Sequence, residues 1–197
     1  MTRQTVHLYV FDGLADWETG HATAHINTPE YQREPGRYQV RTVGEAIRPV
    51  TSTGGLTITP DLALADLAPA RSAMLILPGG ASWDTDPDAR AAAVAAAGEL
   101  LAAGVPVAAI CGATAGLARA GLLDDRAHTS NTREYLAATG YGGAAHYRDV
   151  PAVTDRDVIT APGTAPVDFA RHIFARLALY EPEVLAMWAG LFGARGS

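Results

Sequence analysis

The sequence contains no lysine, and all 15 of its basic residues are arginines. That inventory excludes Schiff-base catalysis, the lysine of a phosphate-binding P-loop and a Ser-Lys dyad. Cysteine is almost as scarce. The single Cys111 cannot close an internal disulfide, and Met1 to Thr5 lack the apolar segment of a signal peptide, so a reducing cytoplasm is the expected location. An excess of positive charge is also missing. At a formal charge of -6, neither nucleic acid nor an anionic membrane is an expected partner, because both call for a positive field. Glycine and proline follow no Gly-X-Y period, and no long segment repeats itself, which removes collagen and solenoid architectures. The longest uncharged run, Leu100 to Ala118, is broken by Gly104, Pro106, Gly112 and Gly116. It reads as a buried helix end, strand and helix start rather than a membrane span.

What is present suits one globular domain over residues 1–197, with 48% apolar and 18% charged residues. Apolar runs at Thr5 to Phe11, Tyr38 to Val43, Ala73 to Leu77 and Val105 to Ile110 predict strands, and Pro49-Val50 with Leu56 to Ile58 predicts a small hairpin. Helices are expected at Asp16 to Thr28, Pro87 to Ala103 with Asp86 as its cap, Gly112 to Ala120, Asn131 to Ala138, Thr164 to Tyr180 and Pro182 to Phe192. Val150 to Val153 and Asp157 to Thr160 complete the strands. Strands that are continuous apolar runs, alternating with helices, predict an α/β sandwich with a mostly parallel central sheet.

In such sheets, ligand sites form where loops leave the carboxyl ends of the strands. Three segments meet that condition: Asp12 to Glu18, Gly79-Gly80 and Cys111-Gly112. Ala109-Ile110-Cys111-Gly112-Ala113 has small residues two before and two after the cysteine, which a nucleophile elbow requires. A thiol there meets the positive end of a helix, and its pKa is expected well below that of free cysteine. The Gly80 and Gly112 amides, with Gly79 beside them, are the candidate oxyanion donors. Glu18 is the candidate partner of the thiol. A buried structural cysteine, a plain glycine turn and a solvated helix-start glutamate are the competing readings.

As a set, Asp12-Gly13 through Trp17-Glu18, Pro49-Val50 through Pro60-Asp61, Leu77 through Gly80 with Trp83, Ala109 through Ala113, His128-Thr129-Ser130-Asn131 and Ile159-Thr160 through Phe169 resemble the ThiJ/PfpI branch of the class I glutamine amidotransferase-like superfamily. The resemblance implies a flavodoxin-like three-layer sandwich, a homodimer, Cys111 as the reactive cysteine, Glu18 as its carboxylate partner and Gly80 with Gly112 as the amide pair. It also singles out His128, on the segment after the elbow helix, as a candidate base or orienter facing Cys111, with a plain loop residue as the competing reading. Family members are described as intracellular proteases, chaperones, deglycases or glyoxalases, and oxidative-stress sensors. Two departures matter. Gly112 stands where the protease-like branch places a histidine, and no His-x-Glu pair of the glutaminase type occurs near the C-terminus.

The expected function is therefore a cysteine-dependent reaction on a small carbonyl or amide substrate, without cofactor or metal. A non-catalytic sensor or chaperone that works by oxidation of Cys111 is the alternative, and a protease or amidotransferase-like protein is a third. Glu18, His21 and His25 share one helical face at a spacing that suits a metal, but solvated or dimer-facing side chains are the plainer reading. His7, His146 and His172 read as packing or surface residues. Trp83 to Pro87 and His128 to Thr132 are expected to wall the substrate pocket.

Overall fold

Strands that bury both faces need cover above and below, and the computed structural model, described over residues 3–193, supplies it. The first two strands, β1 (Gln4–Tyr9) and β2 (Tyr38–Gly44), enclose helix α1 (Asp16–Asn27). A detached hairpin of β3 (Val50–Thr51) and β4 (Thr57–Ile58) follows, then β5 (Leu62–Ala63) and β6 (Ser72–Leu77). Helices α2 (Ser82–Thr85) and α3 (Ala91–Ala102) lead to β7 (Val107–Ile110) and α4 (Gly112–Arg119). The chain continues through α5 (Arg133–Ala137), β8 (Val153–Asp155), β9 (Val158–Ala161), α6 (Pro166–Arg176) and α7 (Pro182–Phe192).

The seven strands lie in the order β5-β2-β1-β6-β7-β9-β8, all parallel to their neighbours except β8, which runs antiparallel to β9. Helices α1, α6 and α7 pack together in one layer, and α2, α3 and α4 pack together in another. This is the expected α/β sandwich. The chain steps left from β1 to β2 and later returns to the right of β1 with β6, so the strand order reverses between β1 and β6. That reversal opens a crevice at the carboxyl ends of the strands, the general place for a ligand in open α/β sheets.

Several boundaries differ from the sequence reading. Pro87–Arg90 is a separate 3-10 turn, which Asp86 caps by accepting from the Ala89 amide, and α3 starts only at Ala91. Helix α6 is shorter at both ends. It starts at Pro166, whose missing N-H is harmless in a first turn, and stops before Ala178, which takes a left-handed φ of 49°. A glycine there would have marked the stop, and alanine carries no such signal. The strand expected at Val150 to Val153 occurs at Val153–Asp155, and the two-residue β5 gave no pattern to read. Trp83 is 1% exposed, and its indole N-H donates to the Pro78 carbonyl. Among the described residues, no helix is long and apolar enough to cross a membrane.

Trp83 explains why α4 begins with two glycines four residues apart. A Cβ on Gly112 would meet Trp83 at 2.9 Å, and one on Gly116 would meet its ring at 2.3 Å. The elbow helix can lie on this buried indole only because both positions lack a side chain. Gly98 of α3 is different, since a Cβ there would meet only Leu122 at 4.0 Å. Gly98→Ala should therefore stabilise the protein by ~0.5–1 kcal/mol through helix propensity. Gly116→Ala should destabilise it by about 1–3 kcal/mol through overpacking. Urea midpoints at unchanged slope measure both, and a stabilised Gly116→Ala would contradict this packing account.

Candidate functional site

Residue Cys111 joins β7 to α4 with φ 57° and ψ -124°, a conformation that costs a non-glycine residue about 1–3 kcal/mol. The surrounding structure enforces it. The Cys111 amide donates to Ala161 of β9, its carbonyl accepts from the Thr114 hydroxyl at 2.6 Å, and Ala109 and Ala113 are fully buried on either side. The sharp turn lifts the thiol into the crevice while α4 aims its first amides at the same space. The Gly80 N-H has no acceptor among the described residues and is free to hold an oxyanion, while the Gly112 N-H lies against the Cys111 sulfur itself.

Glu18 reaches this point from the first turn of α1. It is only 1% exposed, and its Oε2 accepts from the Gly79 amide at 2.5 Å. Gly79 is thus occupied: its N-H holds the carboxyl rather than serving as an oxyanion donor. Oε1 has no other well-formed partner and faces the Cys111 thiol. The approach demands glycine backbone on two sides. A Cβ on Gly79 would lie 2.6 Å from Cys111 Cβ and 2.7 Å from Glu18 Oε2. One on Gly163, in the β9–α6 loop, would lie 2.9 Å from Sγ and 3.0 Å from Oε1.

The electrostatics of the pair depart from expectation. Burial raises the Glu18 carboxyl to about 7, against the opposing pull of the Gly79 amide. Burial, followed by the charge of Glu18, pushes the Cys111 thiol up to about 11. The Asn131 and Gly112 N-H groups favour the thiolate but do not prevail. A depressed thiol pKa is therefore not what this site produces while Glu18 is ionised. The two groups titrate as a coupled pair that resists losing its last proton.

Asn131 and Gly163 complete the site, and the sequence reading gave neither a role of its own. Asn131 Nδ2 donates to Cys111 Sγ at 3.4 Å, while its Oδ1 accepts from the Gly163 amide at 2.9 Å. The exposed Trp17 spans the mouth, its indole N-H donating to the Gly163 carbonyl at 3.3 Å. The one signal for Asn131 was its place at the end of the His128 to Asn131 segment, where the histidine drew attention instead. His128 does not face the thiol. It is fully buried, its Nδ1-H donates to the Arg126 carbonyl at 2.8 Å, and its Nε2 accepts from the Tyr141 hydroxyl at 2.9 Å. With both nitrogens engaged, it serves as a packing residue rather than a base for Cys111.

The Glu18, His21 and His25 spacing does not converge on an ion either. Glu18 turns inward to the thiol, whereas the His21 and His25 rings pack edge-on against Trp188 and Phe192 of α7. His25 Nε2 also accepts from the Trp188 indole at 3.1 Å.

Residues 4–176 match the model of the DJ-1/PfpI family. The chain is 37% identical over 191 residues to the uncharacterized protease YoaZ of Bacillus subtilis, covering 95% of this chain and 90% of that protein. Among solved structures, a thiJ/pfpI family protein from Bacillus anthracis superposes with a TM-score of 0.90 at 37% identity, over 98% of this chain and 93% of the other. The DJ-1 superfamily protein Atu0886 from Agrobacterium tumefaciens gives 0.83 at 34% identity, over 95% and 98%. A sheet whose elbow, buried glutamate and glycine loops meet at one crevice thus has relatives along nearly all its length, and the chain belongs to the DJ-1/PfpI family.

Proposed function

We propose that the protein is a cysteine-dependent enzyme acting on a small carbonyl compound, with Cys111 as nucleophile and Glu18 as its proton acceptor. The observation that carries this reading is the buried Glu18 carboxyl against the Cys111 thiol, pushed to about 7 by burial. A base with that pKa is half ionised near neutrality, where general catalysis is most effective. In the first step, Sγ bonds to the carbonyl carbon and the π pair moves to oxygen. The thiol proton passes to Glu18, and the Gly80 and Gly112 amides hold the oxyanion. Glu18 returns that proton to the oxyanion, giving a hemithioacetal; for a 2-oxoaldehyde it then carries the C1 proton to C2, giving a thioester, and water breaks the C–S bond to release the 2-hydroxy acid and restore the thiol. Asn131 supplies a neutral donor to the sulfur throughout.

Two features favour small uncharged carbonyls over peptides and organic acids. Neither Glu18 nor Cys111 is paired with an arginine, so an ionised Glu18 disfavours a negative charge held directly at the sulfur. His128 is committed elsewhere and Gly112 cannot act as an acid, which leaves no second group to protonate an amine leaving group. The Bacillus relative's protease name is accordingly not carried over to this chain. A homodimer in a reducing cytoplasm belongs to the same reading, on the strength of the family resemblance.

The oxidative-sensor reading uses the same atoms, because Oε1 and the Gly80 and Gly112 amides also suit the oxygens of a Cys111 sulfinic acid. Turnover separates the two. With methylglyoxal as substrate, wild type should release lactate, Cys111→Ser should release none, and glyoxylate and a peptide panel should be poor substrates. The rate should rise with pH through a midpoint near 7, since Glu18 must be ionised to take the thiol proton. Glu18→Gln should lower kcat/KM by about a hundredfold or more. An inactive wild type whose Cys111 oxidises selectively with mild peroxide would replace the enzyme by the sensor, and efficient peptide hydrolysis would refute the leaving-group argument.

Stability offers an independent check on the carboxyl. Its folded pKa lies above the ordinary 4.5, so the protonated form is the one the fold prefers. Glu18 therefore imposes no ionisation penalty below pH 4.5. The penalty grows as pH rises towards 7 and is complete above it. Glu18→Gln should be more stable than wild type at pH 8, by up to about 3 kcal/mol, and should lose that advantage near pH 4. Equal urea midpoints at both pH values would mean that the carboxyl is not strained by burial.

A further inference from the structure

An interior strand of a covered sheet is ordinarily apolar on both faces, and β1, flanked by β2 and β6, breaks that rule near its start. Thr5 and His7 project from one face of β1, and the parallel register sets Gln39 and Arg41 of β2 directly beside them. This polar block lies towards the amino ends of the strands, the sheet edge opposite Cys111. A cavity of about 440 Å³ opens over it, with Asp61, Asp66 and Arg71 on its walls. A second cavity, of about 450 Å³, shares Thr5 and Arg71 with the first and adds Arg3.

The floor of the first cavity is His7, a buried side chain short of well-formed hydrogen bonds. His7 is 5% exposed, and neither of its ring nitrogens completes a hydrogen bond, although the Arg71 backbone carbonyl stands alongside. Burial, aided by the Arg41 and Arg71 charges, holds the imidazole below its ordinary pKa and so neutral. A neutral ring buried with an unused N-H costs about 1–3 kcal/mol unless something accepts from it.

The surrounding charges identify that acceptor. Most arginines of this protein are neutralised by a carboxylate, and among the described residues the exceptions are Arg3, Arg71, Arg133 and Arg148. Of these four, Arg71 lines the His7 cavity, and Arg3 lines the neighbouring cavity that Arg71 shares. Arg71 bonds only the backbone carbonyl of Asp66, at 3.3 Å, so its charge is uncompensated. Arg41 meets Asp61 at 3.4 Å, and the other oxygen of Asp61 is taken by the Thr42 amide and hydroxyl. Asp66 on the wall adds a negative charge that a dianion would feel twice as strongly as a monoanion.

We propose that this cavity is a second ligand site, which binds the carboxylate of a small organic acid at the Arg71 guanidinium, with the His7 N-H donating to it from the floor. The site is remote from Cys111 and independent of the reaction assigned there. Charge-assisted bonds to guanidinium are the strong class, which is why a single carboxylate suffices for recognition.

Bound anion and His7 protonation must favour one another, so the imidazole itself reports binding. The test follows the His7 ring resonances of the full chain by NMR during titration with sodium acetate, with inorganic phosphate, and with sodium chloride at matched ionic strength. His7→Gln assigns the resonance. Acetate should shift it saturably and raise the His7 pKa. Arg71→Gln, a surface change, should weaken that binding about tenfold, the loss of one charge-assisted hydrogen bond. Alkylation of Cys111 should proceed equally in wild type and Arg71→Gln. A shift no larger than that with chloride, or one equal in wild type and Arg71→Gln, would overturn the site. Tighter binding of phosphate than of acetate would overturn its assignment to carboxylates.

Discussion

A carboxyl group buried against a thiol is the constraint around which this crevice is organised. Placing Glu18 out of water beside Cys111 works against two ionisations at once, and both groups are pushed towards their protonated forms. The fold accepts that burden with one backbone donor, the Gly79 amide, and with glycine at each point of close approach. Gly79 and Gly163 are therefore not interchangeable turn residues. They set the distance between acid and sulfur, and that distance couples the two titrations.

The strained turn at Cys111 belongs to the same constraint. A thiol held in a relaxed helix or strand would not project over the sheet edge towards a carboxyl that arrives from a different strand's loop. Four strand-end loops supply the site, joined by Asn131 from the α4–α5 segment: β1–α1 brings Glu18, β6–α2 brings Gly79 and Gly80, β7–α4 brings Cys111, and β9–α6 brings Gly163. Parallel strands in register align these loop starts along one edge, and the reversal of strand order beside β1 leaves room above them. Trp83, locked under α4 by Gly112 and Gly116, fixes the helix that points its first amides at the thiol.

Much of this was legible from the chain. Apolar strands closed by glycine, and a cysteine between small residues at a strand end, are local patterns with local causes, which is why the sheet, the elbow, Glu18 and the glycine loops were readable. Which way a loop side chain turns is not local. His128 and Asn131 are three residues apart on one segment, yet the histidine goes inward to Arg126 and Tyr141 while the asparagine meets the sulfur. Contacts distant in sequence fix both: the Gly163 amide holds Asn131, and Tyr141 and Tyr147 hold His128. The thiol's titration was misjudged for a related reason. A helix end and a cysteine can be seen in sequence, but the depth of burial, which outweighs that helix end, belongs to the assembled layers.

The identity of the sulfur's neutral neighbour also bears on the chemistry the site can support. A histidine hydrogen-bonded to Cys111 could share its proton and later deliver it to a departing amine, whereas Asn131 can only donate one fixed hydrogen bond. Its orientation is not free to change, because turning the amide over would set its NH₂ against the Gly163 N-H. Every proton that moves at Cys111 is thus left to Glu18, a single group that must first accept and then give back. That sequence suits addition to a carbonyl, in which the same proton can return to the adduct, better than cleavage of an amide, in which a departing amine must be protonated before the acyl-enzyme can form. The replacement of a titratable neighbour by a pinned amide is therefore the feature that narrows this site from cysteine chemistry in general to carbonyl chemistry in particular.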